Sequence, residues 1–174
     1  SNIGYTADNG KSFLSKIFRN SFPLYCDKLG NDAFDKNNSG YNKCFSPLMN
    51  KPIRMVYMEE WGKKEQDINL IKATVEGETL TVKPLYYEEQ IIAIQFKLEA
   101  ASNNDPNAPG FDNGLNRRAR LMYYNSKFVE DEKDVDEEKH IYLKKKGLDN
   151  MFKEDRYKLA LFHVYAPYAK KYYE

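Results

Sequence analysis

Cysteine, histidine and net charge are all scarce in this sequence. Only Cys26 and Cys44 are present, and their spacing fits no metal-binding pattern. They read as free thiols of a reducing compartment, against a disulfide or a metal pair. His140 and His163 stand alone and read as structural or solvated side chains. Lys plus Arg number 27 and Asp plus Glu 26, so no global field draws the chain to nucleic acid, and any basic surface is local. Long apolar runs are also missing: none reaches membrane-spanning length, and no signal-peptide pattern is visible. Tyrosine is the opposite case. Fourteen tyrosines and 14% aromatic residues argue against disorder. With 174 residues and a mean hydropathy of −0.77, the chain has the make-up of one soluble domain with a real core.

What is present begins near the start. Gly4-Tyr5-Thr6-Ala7-Asp8-Asn9-Gly10-Lys11-Ser12, followed by Phe13-Leu14-Ser15-Lys16-Ile17-Phe18, reads as a phosphate-binding loop opening a helix over roughly 11 to 20. Phosphates need a concave row of backbone N–H groups, and Gly10 supplies the permissive backbone. The helix directs the positive end of its dipole at the same anion. Lys11 suits the β- and γ-phosphates and the Ser12 hydroxyl suits Mg²⁺. The spacing is unusual, since the first glycine of the common motif falls at Tyr5 and Gly4 lies one residue further out. A plain Asx-Gly turn capping a surface helix therefore remains the competing reading. Only Ser1, Asn2 and Ile3 precede the loop. Most of a first strand is thus expected to be missing and the chain to be a fragment; an expression scar is an alternative reading of Ser1-Asn2.

Further on, Phe22-Pro23-Leu24-Tyr25-Cys26 suggests an edge strand, because Pro23 cannot donate to a ladder. Residues 27 to 52 are rich in turn formers and predict a loop with one short helix near Cys44 to Met49. Ile53-Arg54-Met55-Val56-Tyr57-Met58 predicts a strand covered on both faces, which points to a parallel α/β sheet. Ligands of such sheets bind beyond the carboxyl ends of the strands, where Glu59 and Glu60 stand. After a phosphate loop, two acids there suit a Mg²⁺-dependent NTPase, one for the metal and one for the attacking water. The bland reading is two solvated glutamates.

Asp67 to Ala73 predicts a short helix, and Glu76 to Tyr87 a turn, an alternating strand and a second turn, hence a β-hairpin. Lys83 beside Tyr86 and Tyr87 offers charge plus a stacking ring for single-stranded nucleic acid, unless the tyrosines simply pack. Ile91 to Ala101 predicts a second buried strand, with Asn103 past its tip in reach of a γ-phosphate. A Pro/Asn/Gly loop from Asp105 to Asn113 leads to Arg117, Arg118 and Arg120, either a solvated basic patch or an anion clamp, and to a strand at Leu121 to Tyr124. Glu130 to Lys139 is an acidic block read as a solvated linker. Lys153 to Tyr173 predicts a helix with Tyr157, Leu161, Tyr165, Tyr168 and Tyr172 at helical spacing and Pro167 as a kink.

Several stretches, in this order, resemble the superfamily 3 helicase domain of the poxvirus-type primase–helicases of large DNA viruses. The phosphate loop is similar at Asn9-Gly10-Lys11-Ser12, and the acidic strand at Arg54 to Glu60. The next motif is similar at Lys72, Val75-Glu76-Gly77-Glu78 and Lys83-Pro84-Leu85-Tyr86, and the strand ending in Asn at Ser102-Asn103. The most specific stretch is Asp112-Asn113-Gly114-Leu115-Asn116-Arg117-Arg118-Ala119-Arg120, running on to Ser126-Lys127-Phe128-Val129. This sequence departs from the family at Glu76, where a Gly is usual, and at Asn116, where an aromatic is common.

The resemblance implies an AAA+-like P-loop NTPase: an α/β parallel sheet flanked by helices, with a β-hairpin and a C-terminal helical part. Residues 1–130 would be an N-terminally truncated ATPase/helicase core, and 131–174 an acidic linker with a helical part packed on it. It implies an ATP-dependent DNA helicase using ATP and Mg²⁺. Asn9, Gly10, Lys11, Ser12 and Phe13 would bind nucleotide, and Ser12 and Glu59 the metal. Glu60 would act on the water, Asn103 on the γ-phosphate, and Arg118, or in second place Arg117, on the next subunit's nucleotide. Lys83 and Tyr86 would touch DNA. Implied partners are single-stranded and forked DNA, further copies in a homo-hexamer and an upstream primase region or primase partner, with no membrane. The implied location is intracellular, at viral or mobile-element replication sites. A P-loop ATPase that remodels proteins, or a non-hydrolysing scaffold, is the alternative.

Overall fold

The computed structural model describes residues 2–3, 8–38, 41–61, 64–84, 86–103 and 113–174. Gly4 to Ala7 and Asn104 to Asp112, which carry part of the phosphate-loop and Pro/Asn/Gly-loop expectations, lie outside them.

The chain is α/β, and its centre is a parallel sheet of five strands: β1 (Asn2–Ile3), β2 (Cys26–Lys28), β3 (Met55–Met58), β6 (Lys97–Ser102) and β7 (Met122–Tyr123). Their spatial order is β2-β3-β6-β1-β7, and every neighbouring pair is parallel. All carboxyl ends therefore fall on one edge. Short β1 is paired on both sides, Ile3 standing opposite Ser102 and Tyr123. β3 is the strand its composition predicts, since Val56, Tyr57 and Met58 are all buried.

Helix α1 (Lys11–Ser21) follows β1, and buries Lys11, Ser15 and Ile17. The segment 27–52 holds more than a loop. It contains β2, helix α2 (Tyr41–Phe45) and a 3-10 turn at Ser46–Leu48. It also gives the core Leu29, Ala33, Phe34, Phe45 and Leu48, with the Phe34 and Phe45 rings meeting edge to face 5.8 Å apart. The expected edge strand at Phe22 to Cys26 is corrected: Tyr25 and Cys26 both donate to the Phe22 carbonyl, so a turn holds that run and pairing starts at Cys26.

Helix α3 (Ile68–Glu76) is capped by the Asp67 carboxylate on the Leu70 amide, and ends at Gly77 with φ 78°. The hairpin forms as alternation predicts. β4 (Thr79–Val82) runs antiparallel to β5 (Gln90–Ala93), turning Leu80 and Val82 inward and Thr79 and Thr81 out. The expected single strand at Ile91 to Ala101 is corrected, because the run divides. Its first part completes the hairpin with Ile91 exposed, and a break at 94–96 precedes β6.

Helix α4 (Asn113–Arg118) carries the arginines into β7. Beyond it, β8 (Lys127–Val129) and β9 (Ile141–Leu143) pair in parallel. The acidic block between them is exposed but ordered, as 3-10 turns at Glu132–Asp134 and Glu137–Lys139 capped by Asp131 and Asp136. Helices α5 (Leu148–Met151) and α6 (Asp155–Tyr173) close the chain. α6 meets α1 through Tyr165 and Phe18, whose ring centroids lie 5.0 Å apart. Tyr168 and Tyr172 are exposed, so only part of its tyrosine stripe is covered. No helix among the described residues is long and apolar enough to cross a membrane.

Candidate functional site

The candidate site stands on the carboxyl edge, where β1 hands over to α1. Gly10 begins the helix at φ 83°, a conformation open to glycine, and a Cβ there would meet the Phe128 ring at 3.3 Å. The Phe128 amide also donates to the Asp8 carbonyl at 2.8 Å. β8 therefore clasps the loop from outside. Asn9 is buried, and its Oδ1 accepts from the Lys11 amide at 3.4 Å, so the Asx turn weighed from sequence does form. The helix it opens is not a surface helix, however, because Lys11 is buried and the preceding strand lies inside the sheet.

A buried lysine needs partners. Lys11 Nζ donates to the Ser102 carbonyl at 2.9 Å and to Asn103 Oδ1 at 2.7 Å, both at the tip of β6. Burial pushes its ammonium below the ordinary lysine value. The same tip holds the acidic turn: the Trp61 amide, next after Glu60, donates to the Ala101 carbonyl at 2.9 Å. Trp61 is fixed in turn by its Nε1 donating to Gln66 Oε1 at 2.7 Å. Three successive residues of β6 and its end thus tie the β1–α1 loop to the end of β3. With one strand between them, β1 and β3 stand about 9.5 Å apart.

Glu59 is half-buried, and its Oε2 accepts from Lys28 Nζ at 2.6 Å. Glu60 is exposed with φ 53°, a left-handed backbone for a residue with a Cβ. Ser12 is exposed in the first turn of α1, on the same edge. Phe13 faces elsewhere in part, its ring meeting Phe152 edge to face at 6.3 Å. Among the described residues no group of three His, Cys, Asp or Glu side chains is placed to hold a metal ion. A magnesium held largely by phosphates and water asks less of the protein, and a serine hydroxyl with one carboxylate is the donor set that fits it.

The other expected residues lie away from this centre. Lys83 and Tyr86 are exposed in the β4–β5 loop, Tyr86 at 95% and with φ 68°. Arg118 is held within its own chain, by an ion pair to Glu76 at 3.2 Å and by donation to the Gly114 carbonyl at 3.0 Å. Arg117 is exposed, and its guanidinium finds no acceptor among the described residues. Cys26 and Cys44 are free thiols that burial pushes up, which makes both poor nucleophiles.

Sequence reasoning missed Lys28 and the Ser102 carbonyl. With the edge strand expected to end at Cys26, nothing marked Lys28 as the last residue of a strand beside β3. A backbone acceptor carries no side-chain signal at all. The chain matches no protein-family model and no curated protein.

Proposed function

We propose that the chain is a P-loop ATPase of the superfamily 3 helicase kind, in which Mg²⁺-dependent ATP hydrolysis drives movement on DNA. The observation that carries this reading is the hub at the tip of β6, where Lys11 reaches Ser102 and Asn103 while the turn holding Glu60 bonds Ala101. In a parallel sheet, ligands bind beyond the carboxyl ends, and this hub lies there with a lysine and an amide side chain, the turn that carries Glu60 being bonded to it.

In this reading the amides at the start of α1 and the Lys11 ammonium bind the phosphates, the helix dipole adding to their attraction. Ser12 and Glu59 would hold magnesium, which would supply neutralising charge to the phosphate oxygens. Asn103 keeps Oδ1 toward Lys11 and has its NH₂ group to offer the terminal phosphate. Glu60 orients and deprotonates the attacking water. The left-handed backbone at Glu60 is the kind of local strain that functional positions retain.

A second reading is favoured by the hairpin loop itself, where Lys83 is outnumbered by Glu88 and Glu89 around the exposed Tyr86 and Tyr87. Such a loop also suits a protein substrate. The ATPase assignment is tested by two variants. Lys11→Ala should lose ATP binding, whereas Glu60→Gln should keep binding and lose hydrolysis by at least ~10²-fold. Normal hydrolysis by Glu60→Gln would remove Glu60 from the role of base, and unchanged ATP affinity in Lys11→Ala would remove the site.

A further inference from the structure

Lys28 ends β2, the edge strand beside β3, and stands in register with Tyr57. Its ammonium lies 2.6 Å from Glu59 Oε2, with both side chains partly exposed. β2 flanks β3 on the side away from β6 and β1, so Lys28 ties Glu59 toward the flank opposite Lys11 and Ser12. On the same edge strand Asp27 pairs with Lys51 at 2.9 Å, while Lys28 is the cation that engages Glu59.

We infer that Lys28 is a positioning residue that competes with the metal for Glu59, so that binding of the magnesium–nucleotide complex requires the Lys28–Glu59 pair to open. The inference rests on the ATPase reading above. Two physical effects act in the same direction. The ion pair must be given up before the carboxylate can serve the metal, and the ammonium repels a divalent cation held nearby. Both are moderated by solvent, because exposed ion pairs are individually weak. The pair is therefore a latch that magnesium at ordinary concentrations can open, and it keeps Glu59 neutralised while the site is empty.

The test reads nucleotide binding rather than turnover. A fluorescent ATP analogue is titrated into the full chain over a range of Mg²⁺ concentrations, and the Mg²⁺ midpoint of binding is recorded. Lys28→Met should move that midpoint to about fivefold lower Mg²⁺, and Lys28→Arg should leave it within about twofold of the native value. In a Glu59→Gln background Lys28→Met should produce a clearly smaller shift, because the lysine then has no carboxylate to withhold and only its direct repulsion of the metal remains. Circular dichroism checks folding, and Lys28→Gln replaces Lys28→Met if the latter is unfolded. A midpoint that rises or stays put in the neutral variants, or an equal shift without Glu59, would overturn the latch while leaving the ATPase reading standing. A native chain that binds the analogue neither with nor without Mg²⁺ would overturn both.

Discussion

At Glu60 the backbone takes φ 53°, and Asp8 across the site takes φ 59°. Two non-glycine residues in the left-handed region, one in the loop after β1 and one at the end of β3, mark where local comfort yields to placement. Holding Glu60 there costs on the order of 1 kcal/mol, which a glycine would not incur. Glu60→Gly should therefore raise the stability measured by urea unfolding by up to about 1 kcal/mol while abolishing hydrolysis. A variant less stable than the native chain would contradict the strain account. Lys11 illustrates the same tension differently: a buried ammonium is tolerated because Ser102 and Asn103 accept its hydrogen bonds.

Among the elements, the segment 27–52 departs furthest from its sequence reading. Turn formers fill it, yet Phe34 and Phe45 are fully buried within it. Neither aromatic belongs to a periodic run, because Phe34 stands in a turn and Phe45 ends a five-residue helix too short to show a period. Phe34→Ala should cost about 3–5 kcal/mol in unfolding free energy. A loss below about 1 kcal/mol would mean that this segment does not build the core. The run 91–101 was misleading for a related reason, since continuous apolarity does not show where one strand stops and the next begins. By contrast β3, α1 and the hairpin were legible, because apolar continuity, a loop-to-helix signature and clean alternation each specify one element. The hairpin's exposed loop carries the proposal of a DNA contact. Lys83→Ala should weaken single-stranded DNA binding and lower the salt slope by about one phosphate contact. An unchanged slope would favour the protein-substrate reading.

For the whole molecule, the sequence pointed to a parallel sheet but not to its order, which depends on crossovers that no local pattern records. That order is what brings Asn103 to Lys11 and sets Lys28 against Glu59. It also bears on assembly. Glu76 pairs with Arg118 within its own chain, so on the ATPase reading proposed above Arg117 would be the arginine to reach a neighbour's nucleotide in a ring. Mixed Arg117→Ala and Lys11→Ala proteins should regain part of the ATPase that each lacks alone, and a mixture as inactive as its components would confine the site to one chain. The central claim is that the tip of β6 and the start of α1 form a nucleotide-phosphate site. A structure of the protein with Mg²⁺ and a non-hydrolysable ATP analogue tests it most directly. The account predicts the analogue's phosphates against Lys11 Nζ and the α1 amides, with the metal between Ser12 and Glu59 and Lys28 released. Phosphates bound elsewhere, or a Lys11 Nζ that makes no contact with them while the analogue is bound, would contradict it.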